Sequence, residues 1–498
     1  MRIRRHKIWF SSTILCLLVF ATSGTSILAA MTGFQAKNPT QSKVIRKNKA
    51  PVSNEIIRVR LPKPFEAVLD NGLIVEIWED HRSPLVCVDM EIKQAGPMYD
   101  SPSIPGIAFT TAEMLQRGTK SRTRKEIAEE SDRLGVNISA SAEFGSTETS
   151  IAATGLRDNL DDWFALFADL VLNPSFPANE LNELKVETKL QVQQQKSQPS
   201  FLAKERFYKA VYNSHPASMI APSSALIDSI NRTLLESWHK ERYVPQNAIL
   251  GIAGDIRPEG IMPMLRKWFT DWKGSKSIRA LPKPEPSAAK KVYLIDRPGS
   301  VQSTIRIGTI TVDRRHEDFI PLYVMNQIVG VGPGARLFRK LREEKGYTYG
   351  VFSDLTEEAY RGVWTIRGDV RTEVTEEAIT EILKEVLQIR DERVQEDELE
   401  EAKRAIISLF ALNLEESRLW MLYGLAANFC GLDLDYWDKF PDEIGRVSAK
   451  DVQRVAQRYL NPDSLQIVVV GDGRLLENAL RKFGPIELYN AEGELRKK

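Results

Sequence analysis

The sequence predicts an α+β protein made of two copies of one unit. Three observations predict it. Runs with two-residue alternation and runs with helical spacing succeed one another along the chain, and the series starts again in the second half. A stretch over 272–290 that carries Lys, Ser, Pro282, Pro284 and Pro286 separates the two series as a linker. A short pattern also recurs. Arg242-Tyr243-Val244-Pro245 precedes a strand ending in Gly254-Asp255, and Arg458-Tyr459-Leu460-Asn461-Pro462 precedes one ending in Gly471-Asp472, at intervals that agree to within one residue. A chain of 498 residues is too long for one ordinary domain and suits two such units.

The first 30 residues differ in kind from the rest. Arg2, Arg4, Arg5 and Lys7 precede an apolar run over 8–21, and small residues follow through Ala29 and Ala30, the order of an export signal. Leu28 stands where a small residue is preferred, so the segment reads either as a cleaved signal peptide or as a membrane anchor of marginal length. Either reading places the protein in the periplasm or cell envelope. Residues 31–55, with Lys37, Lys43, Arg46, Lys47 and Lys49 and little apolar periodicity, read as a disordered basic tether.

The first domain, 56–271, opens with strands over 65–69 and 73–78 around an Asn71-Gly72 turn, then a strand over 84–92. A short helix over 106–117 closes at Gly118, and an amphipathic helix over 122–134 has a Thr123 cap and a Gly135 stop. Strands are expected over 137–144 and 147–155, helices over 160–172, 180–195, 201–212 and 226–242, and a buried strand over 248–253. The second domain, 291–498, opens with strands over 292–295 and 304–311 and a helix over 319–328. A glycine loop, 330–334, precedes a helix over 335–345 and a strand over 347–353. A strand over 361–370, helices over 375–390, 396–413 and 451–459, and a strand over 465–470 complete the series.

Composition excludes several functions. With 68 basic and 67 acidic residues the chain lacks the electrostatic footprint of a nucleic-acid binder. Cys16 lies in the export segment. Cys87 and Cys430 are far apart and read as small buried hydrophobes, with a disulfide between them left open. His81, His215, His239 and His316 have no histidine neighbour at metal-motif spacing. The 330–334 loop lacks the Gly-Lys-Ser/Thr ending of a phosphate loop, so Gly332 and Gly334 read as a tight turn with contact to an extended peptide.

Residues 106–119 read Gly106-Ile107-Ala108-Phe109-Thr110-Thr111-Ala112-Glu113-Met114-Leu115-Gln116-Arg117-Gly118-Thr119. The stretch resembles the zinc-binding helix of the insulinase/pitrilysin peptidases (inverzincins), G-[IL]-A-H-x-x-E-H-M-x-x-x-G-T, matching at Gly106, Ala108, Met114, Gly118 and Thr119. That motif needs two imidazoles at i and i+4 for Zn²⁺ and a carboxylate at i+3 as general base. Here those places hold Phe109, Glu113 and Ala112, none of which supplies the required group. By the same resemblance Gln191 stands where the third ligand, a glutamate, is expected, with Glu187 one turn away. The resemblance therefore implies a peptidase fold without a metal site of its own.

A second signature survives. Leu337-Phe338-Arg339-Lys340-Leu341-Arg342, followed by Gly346-Tyr347-Thr348-Tyr349-Gly350-Val351-Phe352-Ser353, resembles the family's R-L-F-x-x-[LV]-R-x-x-x-x-x-x-Y-x-V-x-S. The family uses this arginine and tyrosine to reach a substrate bound at the zinc, which implies that role for Arg342 and Tyr349. Two-residue alternation puts Tyr347 on the same strand face, so either phenol remains a candidate. The strand around Ser139, Ala140 and Ser141 matches the one that pairs with substrate in the family, an ordinary sheet strand being the alternative. The family fold is two similar domains, each an antiparallel-rich sheet with helices packed on it, around a chamber for unfolded peptide. The resemblance thus implies an exported, non-catalytic subunit whose partner carries H-x-x-E-H and the zinc, on which Arg342 and Tyr349 act in trans. The alternative is a structural or peptide-binding protein of this fold with no part in proteolysis.

Overall fold

Two six-stranded sheets, one from each half of the chain, organise the computed structural model, which describes residues 59–275, 279–287, 289–433 and 435–496. The expected export segment and the basic tether lie outside the described residues. Among the described residues, no helix is long and apolar enough to cross a membrane.

The first sheet contains β1 (Phe65–Val68), β2 (Ile74–Glu79), β3 (Leu85–Lys93), β4 (Asn137–Ser141), β5 (Glu148–Leu156) and β6 (Ala248–Gly254), in the order β1-β2-β6-β3-β5-β4. The second contains β7 (Lys291–Asp296), β8 (Gln302–Ile310), β9 (Val351–Leu355), β10 (Val363–Arg371), β11 (Gln466–Gly471) and β12 (Ile486–Tyr489), in the order β12-β7-β11-β8-β10-β9. The repeat seen in the sequence is therefore a repeat of topology. β6 lies parallel to β2 as β11 does to β7, and β3-β5-β4 is antiparallel throughout, as is β8-β10-β9. The copies differ at one edge, where β1 folds back antiparallel on β2 and β12 runs parallel to β7. The Asn-Gly turn makes the first arrangement: Gly72 takes a positive φ of 92°, and the Asn71 amide donates to the carbonyls of Phe269 and Trp272.

The first half adds α1 (Ile107–Met114), α2 (Arg124–Leu134), α3 (Leu160–Leu172), α4 (Ala178–Lys196), α5 (Pro199–Tyr212), α6 (Ser224–Ser229), α7 (Arg232–Arg242) and α8 (Pro258–Phe269). The second adds α9 (Phe319–Gly330), α10 (Arg336–Phe338), α11 (Thr375–Asp391), α12 (Glu396–Asn413), α13 (Ser417–Cys430), α14 (Tyr436–Arg446), α15 (Ala449–Tyr459) and α16 (Gly473–Leu480). One face of each sheet packs against helices of its own half, forming the two main cores. The opposite faces are covered by exchange. From the first half, α5 buries Leu202, Phe207 and Val211 against Tyr293, Ile295, Val468 and Val470 of the second sheet. From the second, α13 buries Met421 and Leu425 against Trp78, Ile249 and Ala253 of the first. Covered on both faces, the central strands β6 and β11 are buried along their whole length.

Three local expectations are corrected. The single helix expected over 226–242 is two, because Ile230 turns extended and Asn231 caps α7 by accepting from Leu234 N–H at 3.1 Å. The helix expected over 335–345 is α10 followed by a π-helical segment, Arg339–Glu344. The strand expected over 347–353 begins only at Val351, since Thr348 replaces the ladder locally: its hydroxyl bonds to the Asp369 carbonyl at 2.5 Å and accepts from Gly350 N–H at 3.0 Å. Cys87 and Cys430 are both free thiols.

Candidate functional site

Helix α1 is held by a device its own residues cannot supply. Gly106, at a φ of 94°, offers no side-chain cap, and Asp100 supplies one from outside, accepting from Gly106 N–H at 2.5 Å and Ala108 N–H at 3.2 Å. Burial outweighs these bonds and pushes the Asp100 carboxyl up to about 7. At the other end a 3₁₀ turn, Leu115–Arg117, closes at Gly118. Past it, Thr123 and Glu126 form the capping box that starts α2, and Gly135 stops it at a φ of 63°.

The frame of the zinc motif is therefore intact, and its contents are those of a packed surface. Phe109 lies against Phe144 with ring centroids 5.7 Å apart, and Ala112 is fully buried. Glu113 is half-buried; burial raises its pKa, Arg117 opposes the rise and Glu187 adds to it. On α4, Gln191 is exposed and Glu187 is bonded to Arg117, Oε2 to Nη2 at 2.5 Å, which lowers the Glu187 pKa. The positive charge beside these two carboxylates is thus a guanidinium. Among the described residues, no group of three or more His, Cys, Asp or Glu is arranged to hold a metal. These residues do not fit the family's zinc ion, whose ligands are imidazoles and a carboxylate.

Ser139, Ala140 and Ser141 lie on β4, the edge strand beside α1. Ser139 and Ser141 are exposed and Ala140 is buried. The outward edge of this strand is not free. Gln116, just past α1, sits with its amide nitrogen 2.9 Å from the Ile138 carbonyl and its amide oxygen 3.1 Å from Ala140 N–H, in the orientation its neighbours require. One side chain thereby occupies two groups that an added strand would use. Nothing in the motif's spacing pointed to Gln116 or Arg117, although both belong to the stretch that carries the resemblance.

In the second half, Arg342 lies in the π-helical segment and stacks over Phe338, with its guanidinium carbon 4.8 Å from the ring centroid. Gly346 ends the helix at a φ of 63°. Tyr349 follows in the turn before β9 and is 86 % exposed, whereas Tyr347 is half-buried against the second core. The two phenols therefore do not share a strand face, and Tyr349 is the one presented to solvent. Gly332, at a φ of 84°, and Gly334 border a cavity of about 620 Å³ that is also lined by Arg336 and Glu398, which are paired at 2.5 Å. The halves meet near the first site, where the Tyr360 hydroxyl, between β9 and β10, donates to the Gly145 carbonyl beside Phe144 at 2.9 Å.

Comparison with known proteins agrees with this geometry. Residues 75–222 match the insulinase (peptidase family M16) model, and residues 229–406 match the peptidase M16 inactive domain. The chain is 25 % identical over 382 residues to an uncharacterized zinc protease, YmxG, of Bacillus subtilis, covering 76 % of this chain and 92 % of that protein. It is 23 % identical over 415 residues to the mitochondrial-processing peptidase subunit alpha of Solanum tuberosum, covering 79 % of each. A peptidase M16 inactive domain structure from Pseudomonas fluorescens superposes with a TM-score of 0.75 at 24 % identity, over 82 % of this chain and 98 % of that one. A protease from Helicobacter pylori does so with a TM-score of 0.75 at 20 % identity, over 82 % and 100 %. With two M16 models on consecutive halves, the M16 two-domain fold and a zinc motif kept in frame but not in ligands, the chain belongs to the insulinase (M16) peptidase family and fits a non-catalytic member of it.

Proposed function

We propose that this protein is an exported, non-catalytic subunit of a heterodimeric zinc peptidase. In this reading a partner of the same family carries H-x-x-E-H and the zinc, and this chain completes a chamber for unfolded peptide. The observation that carries it is the contrast between the halves. The zinc-motif frame is filled by Phe109 against Phe144 and by the Arg117–Glu187 pair, while Arg342 and Tyr349 stand exposed on the second half. A guanidinium and a phenol, both solvent-facing and without a carboxylate partner among the described residues, suit a peptide carbonyl that gains negative charge during attack by water. The potato relative, which is by name a subunit of a processing peptidase, supports a division of labour between chains.

The test is a tagged pull-down of the mature chain from its native envelope extract, with co-purifying proteins identified by mass spectrometry. A stoichiometric partner of similar size carrying H-x-x-E-H is the expected result. Recovery of the chain alone, or only with unrelated assembly proteins, overturns the heterodimer and favours a structural or peptide-holding role.

A further inference from the structure

A cavity of about 990 Å³ lies between the two halves, with connector residues Arg279–Pro284 and Pro286 forming one wall. The connector is fastened from both sides. Arg279 N–H donates to Gln94 Oε1 at 3.0 Å, His215 Nε2 to the Pro282 carbonyl at 2.7 Å, and Arg361 Nη1 to the Pro284 carbonyl at 3.3 Å. These anchors engage the backbone of the wall and leave the side chains of Arg279 and Lys283 unused.

The charge of the lining is lopsided. Lys93, Arg279, Lys283, Arg315, Arg361 and Arg458 face a single carboxylate, Asp313, in a chain whose net charge is only +1. Some of these cations are already answered: Lys93 by the Asn428 carbonyl at 3.0 Å, Arg361 by Glu285 at 3.7 Å, and Arg458 by Asp318 at 2.8 Å. Others are not. The side chains of Arg279 and Lys283 have no hydrogen-bond or ion-pair partner among the described residues, and Arg315 has only Asp313, at 3.9 Å. Between the cations the wall is apolar or aromatic, with Leu281, Ile310, Tyr360 and Phe429.

We propose that this cavity is a binding site for acidic peptide segments, which deepens the peptide-handling reading above and rests on it. A compact anion wants donors converging on one point. Here the open cations are spread along the lining, Arg279 and Lys283 on the connector with Leu281 between them in sequence and Arg315 on a separate segment, a pattern that matches an extended chain with carboxylates alternating with apolar groups. The volume is at the upper end for a ligand pocket and leaves room for several residues.

The experiment uses the purified full chain and two fluorescein-labelled peptides of equal length, one with glutamates and one with glutamines at the same positions. Fluorescence anisotropy at low ionic strength should show the glutamate peptide binding tighter, on the order of tenfold for a few partly exposed ion pairs. The preference should vanish at high salt and in the double variant Arg279→Gln/Lys283→Gln, whose melting temperature is unchanged because neither side chain has a partner to lose. Equal binding of the two peptides overturns the site, as does a preference that survives the double variant. Displacement by pyrophosphate at the concentration of the acidic peptide overturns the peptide class in favour of a compact anion. Arg342→Ala, outside this cavity, leaves the charge preference in place, so failure of this site and failure of the trans role are read separately.

Discussion

At the scale of single residues, losing a metal site is more than losing ligands. Phe109 and Ala112 remove an imidazole and a base, and Phe144 then packs on the ring that stands where a ligand is expected. Arg117 brings a cation to the remaining carboxylates, so Glu187 is held as an ion-pair partner. The motif's spacing made the first part legible, because absent residue types are visible without coordinates. The second part was not legible: Arg117 and Glu187 are 70 positions apart, and only the packing of α4 beside α1 makes them a pair. Gln116 gives a prediction at this scale. With its amide removed in Gln116→Ala, the Ala140 N–H should exchange with solvent about tenfold faster, the worth of one hydrogen bond near an edge. Amide exchange followed by mass spectrometry on the β4 peptide reads this directly. An unchanged rate would mean that the edge is protected by something other than the Gln116 amide.

Among the elements, those with a periodic apolar face and proper ends were readable. The capped helix α2, the long helices α3, α4, α11 and α12, and the strands that alternate or run buried fall where expected, within a few residues. Of those that were missed, α16 has a proper cap in Asp472 and buries Leu476 and Leu480, and β12 is a short edge strand, whereas α8, α13 and α14 lack a readable local signal. Pro263 and Pro441 interrupt α8 and α14, obscuring helical spacing that is sound in three dimensions. Helix α13 was missed because its purpose is tertiary: it covers the sheet of the other half, and no local signal announces that. Tyr347 and Tyr349 were misplaced for a similar reason, since the Thr348 hydroxyl competes with the sheet for its hydrogen bonds. The exchange of α13 has a sharp test. A Cβ at Gly424 would lie 2.3 Å from Cζ2 of the fully buried Trp78, and one at Gly251 would lie 2.7 Å from Met421 Cγ. Gly424→Ala should therefore destabilise the fold by about 2 kcal/mol through overpacking, measured by denaturant unfolding. A neutral result would show that α13 does not bear on the first sheet at that point.

For the whole molecule, the junction of the halves carries carboxylates as well as the basic cavity. Glu358 of the second half is pushed up to about 7 by burial first, and then by Glu148 of the first half, Glu357 and Glu143. The folded protein therefore keeps a proton that an unfolded glutamate, near 4.5, has already released. Unfolding releases it, so this group's share of stability is present at low pH and is lost as pH rises from about 4.5 to about 7. Glu358→Gln should flatten that part of the stability profile in thermal melts taken across the range, and a slope equal to the parent's would contradict the assignment. The most direct measurement concerns the second half's exposed pair. With the pulled-down partner in hand, kcat of the complex should be compared for the parent chain and Arg342→Ala at matched, verified assembly. The trans role of Arg342 predicts intact assembly and a kcat lower by about a hundredfold, the usual cost of one lost donor to a developing oxyanion. An unchanged kcat in a fully assembled complex would contradict it and leave this chain a structural, peptide-holding partner.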